Sequence, residues 1–243
     1  MITQSALATL HLLEKQEKLL YYQQLVTQTH KAQFDAFRAL LLEYNEKYNL
    51  TTILDEQDMQ FKHFLDSLLG EEYFPKNAKV AEIGSGAGFP SIPLKIIRPD
   101  LQFDLFESVG KKCEFLRAAV DKLGFKNVHI YNLRAEDCAK DKQFREQYDI
   151  STARAVARMN TLSEYCLPFV KLGGSMVAYK SGETEELYEA ESAYKTLGGR
   201  LKKVEEWTLP LEYGKRTIAV VEKIKQTPAR YPRGQGKERK NPL

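Results

Sequence analysis

Val80-Ala81-Glu82-Ile83-Gly84-Ser85-Gly86-Ala87-Gly88-Phe89-Pro90 is a short β-rich run that breaks into three alternate glycines and then enters a helical stretch containing Pro90 and Pro93. Glycines in that rhythm allow the backbone left-handed angles and let a ligand lie against it, and proline suits a first helical turn. Beyond this stretch, strand-like runs at 102–106, 128–131, 148–151 and 175–179 alternate with helical runs at 110–123, 161–170 and 183–197. Such alternation predicts βαβ units and a parallel sheet with helices on both faces. Residues 201–209 and 216–224 are two more strand-like runs, joined only by residues 210–215. A connection that short forces an antiparallel pair. The expected fold class is α/β: a doubly wound, mostly parallel seven-stranded sheet.

Upstream the pattern differs. Leu19, Leu20, Leu25 and Val26, then Phe34, Phe37, Leu40, Leu41 and Tyr44, fall at helical spacing, a break follows at 45–54, and a second helical run covers 58–69. The change at Pro75 divides the chain into an N-terminal helical cap (1–74), a cofactor-binding domain (75–225) and a basic tail (226–243). Of 243 residues, 43% are hydrophobic and 28% charged, with 12 Phe and 13 Tyr, the composition of a globular protein rather than a fibre or a disordered chain. No stretch approaches ~18 uninterrupted apolar residues, and residues 1–20 interleave His, Glu, Lys and Gln among their leucines. A cytoplasmic protein with no membrane contact is therefore expected. Cys113, Cys138 and Cys166 stand far apart without zinc-ligand spacing, so buried reduced thiols and no metal are expected. The net charge is only +3, but the tail holds Arg230, Arg233, Lys237, Arg239 and Lys240 against the single acid Glu238.

A dinucleotide site requires G-x-G-x-x-G, with glycine or alanine in the last place; here that place holds Phe89. Glu82, two residues before Gly84, would repel a pyrophosphate and could hold an ammonium group. The sequence acid-x-Gly84-x-Gly86-x-Gly88 therefore suits S-adenosyl-L-methionine, whose amino-acid end carries an ammonium and whose sulfonium is positive. Glu107 ends the next strand, where an acidic side chain grips both hydroxyls of an adenosine ribose. Arg134-Ala135-Glu136, after the third strand, falls at the adenine edge. Without a ligand, the glycines would be a plain tight turn and Glu107 an exposed carboxylate.

Residues 150–158 (ISTARAVAR) follow the fourth strand and bear on the acceptor. The Asn/Asp-Pro-Pro-aromatic turn that grips exocyclic amino groups is absent, and no cysteine stands in a loop suited to the thiolate attack that cytosine C5 requires. A ring nitrogen such as guanine N7 has a free lone pair, so no catalytic general base is expected. Arg154 is placed to neutralise anionic groups. Arg158 is a further candidate RNA contact, although it, like Lys180, reads first as a surface ion pair. In the tail, Arg230, Arg233 and Lys237 beside Tyr231 suit RNA phosphates and an unpaired base, or else a solvated end. His63 and Asp66 share a helix face, as a hydrogen-bonded pair or as a cap on the site mouth.

From Tyr44 onward the chain resembles the bacterial glucose-inhibited division protein B family, the small-subunit rRNA guanine-N7 methyltransferases G. The resemblance rests on Asn49-Leu50-Thr51, His63 with Asp66-Ser67-Leu68, Ile83 through Pro90 with Ile92-Pro93-Leu94, Arg134-Ala135-Glu136, Ala153-Arg154-Ala155 and Tyr231-Pro232-Arg233. It implies S-adenosyl-L-methionine as methyl donor and N7 of a guanine in 16S rRNA, free or within the 30S ribosomal subunit, as acceptor. It also implies cofactor contacts from Gly84, Phe89, Ala135, Glu136 and Arg154. Glu82 and Glu107 depart from an expected Asp, Ser91 from a common Gly, and Lys180-Ser181-Gly182 from a Lys-Gly pair. Lys112 stands where Arg is usual, keeping the attraction for phosphate without the bidentate fork. The competing readings are a methyltransferase with another acceptor, an NAD-dependent oxidoreductase, which Phe89 disfavours, and a non-enzymatic RNA-binding module.

Overall fold

The computed structural model describes residues 4–182 and 184–243, with residues 4–11 as backbone. The cap begins with helix α1 (Gln4–Gln24), which passes through a π-helical turn at Leu25–Thr29 into α2 (Lys31–Tyr48). Phe34, Phe37 and Leu41 lie at helical spacing on α2 and all face inward. Asn49 ends the helix in the left-handed region (φ 49°), as the break at 45–54 predicts. Asp55 then caps α3 (Glu56–Met59) by accepting from the Asp58 N–H at 2.9 Å. A second π-helical turn, Gln60–Leu65, leads into α4 (Asp66–Leu68).

The rest alternates: β1 (Lys79–Ile83), α5 (Ser91–Ile97), β2 (Gln102–Phe106), α6 (Gly110–Leu123), β3 (Val128–Tyr131), α7 (Ala135–Cys138), β4 (Tyr148–Arg154), α8 (Met159–Cys166) and β5 (Val170–Lys180). There follow α9 (Glu185–Glu189), α10 (Glu191–Leu197), β6 (Gly199–Thr208), β7 (Lys215–Lys223) and α11 (Lys237–Lys240). The seven strands form one sheet in the order β3-β2-β1-β4-β5-β7-β6, with β7 antiparallel to both neighbours and the other pairs parallel. The expected fold class is observed. The chain winds out from β1 in one direction and from β4 in the other, so the crevice for a ligand opens at the C-terminal ends of these two central strands.

Side chains alternate across the sheet. Val80, Leu105 and Val177 face a core shared with the cap, whereas Ala81, Ile83 and Ala153 face one shared with α8, α10 and the tail. Cap and sheet are thus packed as one body: Phe37 stacks on Phe115 of α6 at 6.1 Å and meets Phe89 at 5.5 Å. Three elements differ from expectation. β4 runs on to Arg154, and β5 starts at Val170, passing through Gly173 and Gly174. A Cβ at Gly174 would lie 2.5 Å from the Asp149 carbonyl, so the neighbouring strand requires the glycine. The helical run predicted at 183–197 is split into α9 and α10, and Glu183 lies outside the described residues, as do residues 1–3 of the cap.

Candidate functional site

At the end of β1 the Gly84 N–H donates to the Phe106 carbonyl at 2.8 Å, joining the loop to the end of β2. Gly84, Gly86 and Gly88 have φ of 67°, 56° and 81°, the left-handed region that favours glycine. Glu107, buried at the end of β2, closes the arrangement: its carboxylate accepts from the Gly86 N–H at 2.9 Å and the Val109 N–H at 2.8 Å. Main chain thus fixes this carboxylate from two directions at the wall of a cleft of about 330 Å³ lined by Gly84, Glu107, Ala135, Glu136, Val156 and Tyr165, among others. A Cβ at Gly84 would come 2.9 Å from Val156 Cγ2, so the cleft floor is shaped by the missing side chain.

Glu82 does not reach this cleft. It is fully buried behind the loop, where its carboxylate accepts from Ser91 Oγ at 2.5 Å and the Ser91 N–H at 3.3 Å. Burial pushes its pKa up to about 7. The expectation that it holds an ammonium group is therefore corrected: it braces the glycine loop against the start of α5. The two departures from the family pattern, Glu82 for Asp and Ser91 for Gly, touch each other.

The structure brings Gly84, Glu107, Ala135 and Glu136 together around the cleft, with Gly86 beside them through its bond to Glu107. Phe89 and Arg154 are placed elsewhere. The Phe89 ring is buried between cap and sheet, stacked on His63 at 4.4 Å, with the Arg154 guanidinium 4.7 Å from its centre. Arg154 points toward α4, pairing with Asp66 at 2.8 Å and donating to His63 Nδ1 at 3.1 Å. Nδ1 faces both the Arg154 guanidinium, a donor, and the Lys62 carbonyl at 3.2 Å, an acceptor, while Nε2 lies 2.8 Å from Thr51 Oγ1. Burial, reinforced by Arg154, lowers the His63 pKa to about 3. His63 and Asp66 thus meet through Arg154. These groups line a second cleft of about 350 Å³ with Lys62, Lys180 and Arg216, and Arg216 also pairs with Asp66 at 3.2 Å. Only the turn after β4 separates the two clefts, Ala155 facing one and Val156 the other.

The residues expected to touch RNA have different fates. Lys112 is half-exposed on the first turn of α6, and Arg230 and Lys237 are exposed. Arg158 is exposed but paired with Glu189 at 2.9 Å, and Lys180 pairs with Glu186 at 2.7 Å. Arg233 is a correction: its guanidinium closes on the fully buried Glu164, at 2.7 Å from Nη2 and 3.0 Å from Nε, and is not free for a phosphate. The tail is folded onto the body, with Thr227, Tyr231 and Glu238 buried. Sequence reasoning missed Tyr165, Gly236 and Arg239, which all line the first cleft. Arg239 contributes to the visible tail charge, but nothing local to Tyr165 distinguishes it from a core tyrosine.

Cys113, Cys138 and Cys166 are free and buried, and burial pushes the Cys138 thiol up to about 11. Among the described residues no group of three or more His, Cys, Asp or Glu is arranged for a metal ion, and no helix is long and apolar enough to cross a membrane.

Residues 30–213 match the family model GidB, described as rRNA small subunit methyltransferase G. The ribosomal RNA small subunit methyltransferase G of Brevibacillus brevis is 49% identical over 221 residues, covering 90% of this chain and 93% of that protein. Its counterpart in Lactobacillus acidophilus is 46% identical over 218 residues, 88% of this chain and 91% of the relative. The chain belongs to this family of methyltransferases. Solved structures agree on the fold. A predicted O-methyltransferase from Agrobacterium tumefaciens aligns with TM-score 0.51 at 18% identity, covering 68% of this chain and 81% of that one. P. horikoshii TYW2, in complex with MeSAdo, aligns with TM-score 0.51 at 14% identity over 64% of this chain and 60% of its own. Within the GidB family, the glycine loop of this chain is braced by the Glu82–Ser91 contact.

Proposed function

We propose that the chain transfers a methyl group from S-adenosyl-L-methionine to N7 of a guanine in 16S rRNA by direct in-line displacement. The observation that carries this reading is the cleft at the switch point of the sheet, with the Gly84 floor and the Glu107 carboxylate held by two main-chain N–H groups. When bound, the cofactor supplies a methyl group on a positively charged sulfur. Glu107 keeps lone pairs for the ribose hydroxyls, Gly84 and Gly86 offer main chain at close approach, and Ala135 and Glu136 border the nucleobase end. Both acids match a cationic cofactor and oppose a pyrophosphate.

Guanine N7 carries an unprotonated lone pair at neutral pH, so no side chain has to remove a proton. The contribution of the chain is alignment and exclusion of water. His63 is neutral, and its ring nitrogens are engaged by Arg154, the Lys62 carbonyl and Thr51. The second cleft, with Lys62, Arg154, Lys180 and Arg216, is the reading for the RNA approach, because cations gather there one turn away from the cofactor cleft. Lys112, Arg230 and Lys237, accessible to solvent, are the further cations read as phosphate contacts of 16S rRNA or of the 30S subunit. Arg158, although paired, stays solvent-exposed.

The test is transfer of tritium from labelled S-adenosyl-L-methionine to 16S rRNA or 30S subunits from cells lacking the protein, followed by nucleoside analysis. The expected product is 7-methylguanosine confined to 16S rRNA. Label in another nucleoside, or none with cofactor binding intact, would overturn the acceptor assignment.

A further inference from the structure

The C-terminal segment lies beyond the family match at 30–213. It is latched to the body at several points. Thr227 Oγ1 donates to the Leu197 carbonyl at 2.7 Å and accepts from the buried Lys223 ammonium at 2.5 Å. Arg145 donates to the carbonyls of Thr227 at 2.7 Å and Tyr231 at 2.8 Å. Arg233 then locks onto Glu164 of α8, from its main-chain N–H at 2.8 Å as well as its guanidinium. Finally Thr161, also on α8, donates to the Glu238 carbonyl at 2.9 Å, while the buried Glu238 carboxylate accepts from the Gly234 N–H. The contacts with Leu197, Arg145, Glu164 and Thr161 join the segment to parts of the chain 30 to 86 residues away.

The path this imposes ends at the cofactor cleft. Gly236 and Arg239 line the same space as Gly84 and Glu107. Glu136, Tyr165 and Arg239 all border this cleft. Arg239 stands on the wall of this cleft with its side chain exposed. The other charged groups bordering the cleft are Glu107, Glu136 and Arg134, whose guanidinium lies 3.8 Å from Glu136, and a planar guanidinium is the group that stacks on or hydrogen-bonds a nucleobase edge.

We propose that residues 227–243 form a wall of the cofactor site, in which Arg239 holds the adenine end of the bound nucleoside. This rests on reading the cleft as the S-adenosyl-L-methionine site. The segment serves cofactor binding first, and its basic charge is partly spent in holding that wall in place. Arg233 and Glu164 are positioning residues; Arg239 touches the ligand.

The experiment is calorimetric titration of the full chain with S-adenosyl-L-homocysteine and with 5′-methylthioadenosine, which lacks the amino-acid end. Arg239→Ala should weaken both ligands by about the same factor, roughly tenfold for one lost guanidinium–base contact. Arg239→Lys should restore only part of the loss, and a chain ending at Gln235 should bind no better than Arg239→Ala. Arg239 is exposed, so its variants keep the wild-type melting temperature. Glu164→Gln, which loosens the latch without touching the cleft, should lower both affinities in the same direction. Wild-type affinity in Arg239→Ala and in the truncated chain would overturn the proposal while leaving the cleft assignment standing. Failure of the wild-type chain to bind either ligand would overturn both. A loss confined to S-adenosyl-L-homocysteine would move Arg239 to the amino-acid end and overturn the adenine assignment. Weakened 16S rRNA binding with unchanged ligand affinity would return the segment to an RNA role.

Discussion

The two walls of the first cleft, the proposed cofactor site, are built on different physics. One is main chain: glycines at positive φ, and a Glu107 carboxylate fixed by the N–H groups of Gly86 and Val109. The other is side chain: Tyr165 and Arg239, brought together because Glu164 grips Arg233 and Arg145 grips the carbonyls of Thr227 and Tyr231. The first wall depends on local conformation and fails only when its glycines are lost. The second depends on buried charges paired over long sequence distances, and it can be unlatched from outside the cleft.

The largest effect should come from breaking the first wall. Gly84→Asp puts a Cβ 2.9 Å from Val156 and a carboxylate into the cleft. S-adenosyl-L-homocysteine affinity should fall by more than about 1,000-fold, or about 4 kcal/mol. The far-ultraviolet circular dichroism should be unchanged, since Gly84 is solvent-exposed. Tight binding by this variant would refute the assignment of the glycine loop.

Breaking the second wall should cost stability as well. Glu164→Ala leaves the Arg233 guanidinium without its buried partner, a loss of about 3 kcal/mol in chemical denaturation. An unchanged midpoint would show that the latch is not under load.

A third test sharpens the contrast through pH. Burial raises the Glu82 pKa from 4.5 to about 7, so between those values the folded chain keeps a proton that the unfolded chain releases. Stability from this group therefore declines as pH rises through that window. Glu82→Gln removes the decline, and its stability relative to wild type should rise by about 2 to 3 kcal/mol between pH 5 and pH 8. Parallel stability curves for the two chains would show that Glu82 is ionised in the folded state throughout.

The smallest effect concerns RNA. Arg230→Ala and Lys237→Ala should each reduce the slope of log affinity against log salt by about one phosphate contact, and Arg233→Ala by none. A fall in slope with Arg233→Ala would place that guanidinium on RNA despite Glu164.

The two walls also differ in how far the sequence reveals them. Gly84, Gly86 and Glu107 are legible because a turn at positive φ and an acid at the next strand end leave local signatures. The mostly parallel seven-stranded sheet, the reversed last pair and the helix at Gly110–Leu123 are legible for the same reason. Features decided by distant neighbours are not. Phe89 sits in the right motif, yet the rings of Phe37 and His63 draw it into the core. The expected strand begins at 175 and leaves out Gly174, whose missing side chain is set by the Asp149 carbonyl beside it. Arg233 reads as a free cation because its partner, Glu164, lies on another element.

A crystal structure of the chain with S-adenosyl-L-homocysteine tests the account most directly. The ribose hydroxyls should lie on Glu107, with the adenine bordered by Ala135, Glu136 and the Arg239 guanidinium. A ligand seated in the second cleft beside Arg154, or in the first cleft with Arg239 turned away from it, would contradict the account.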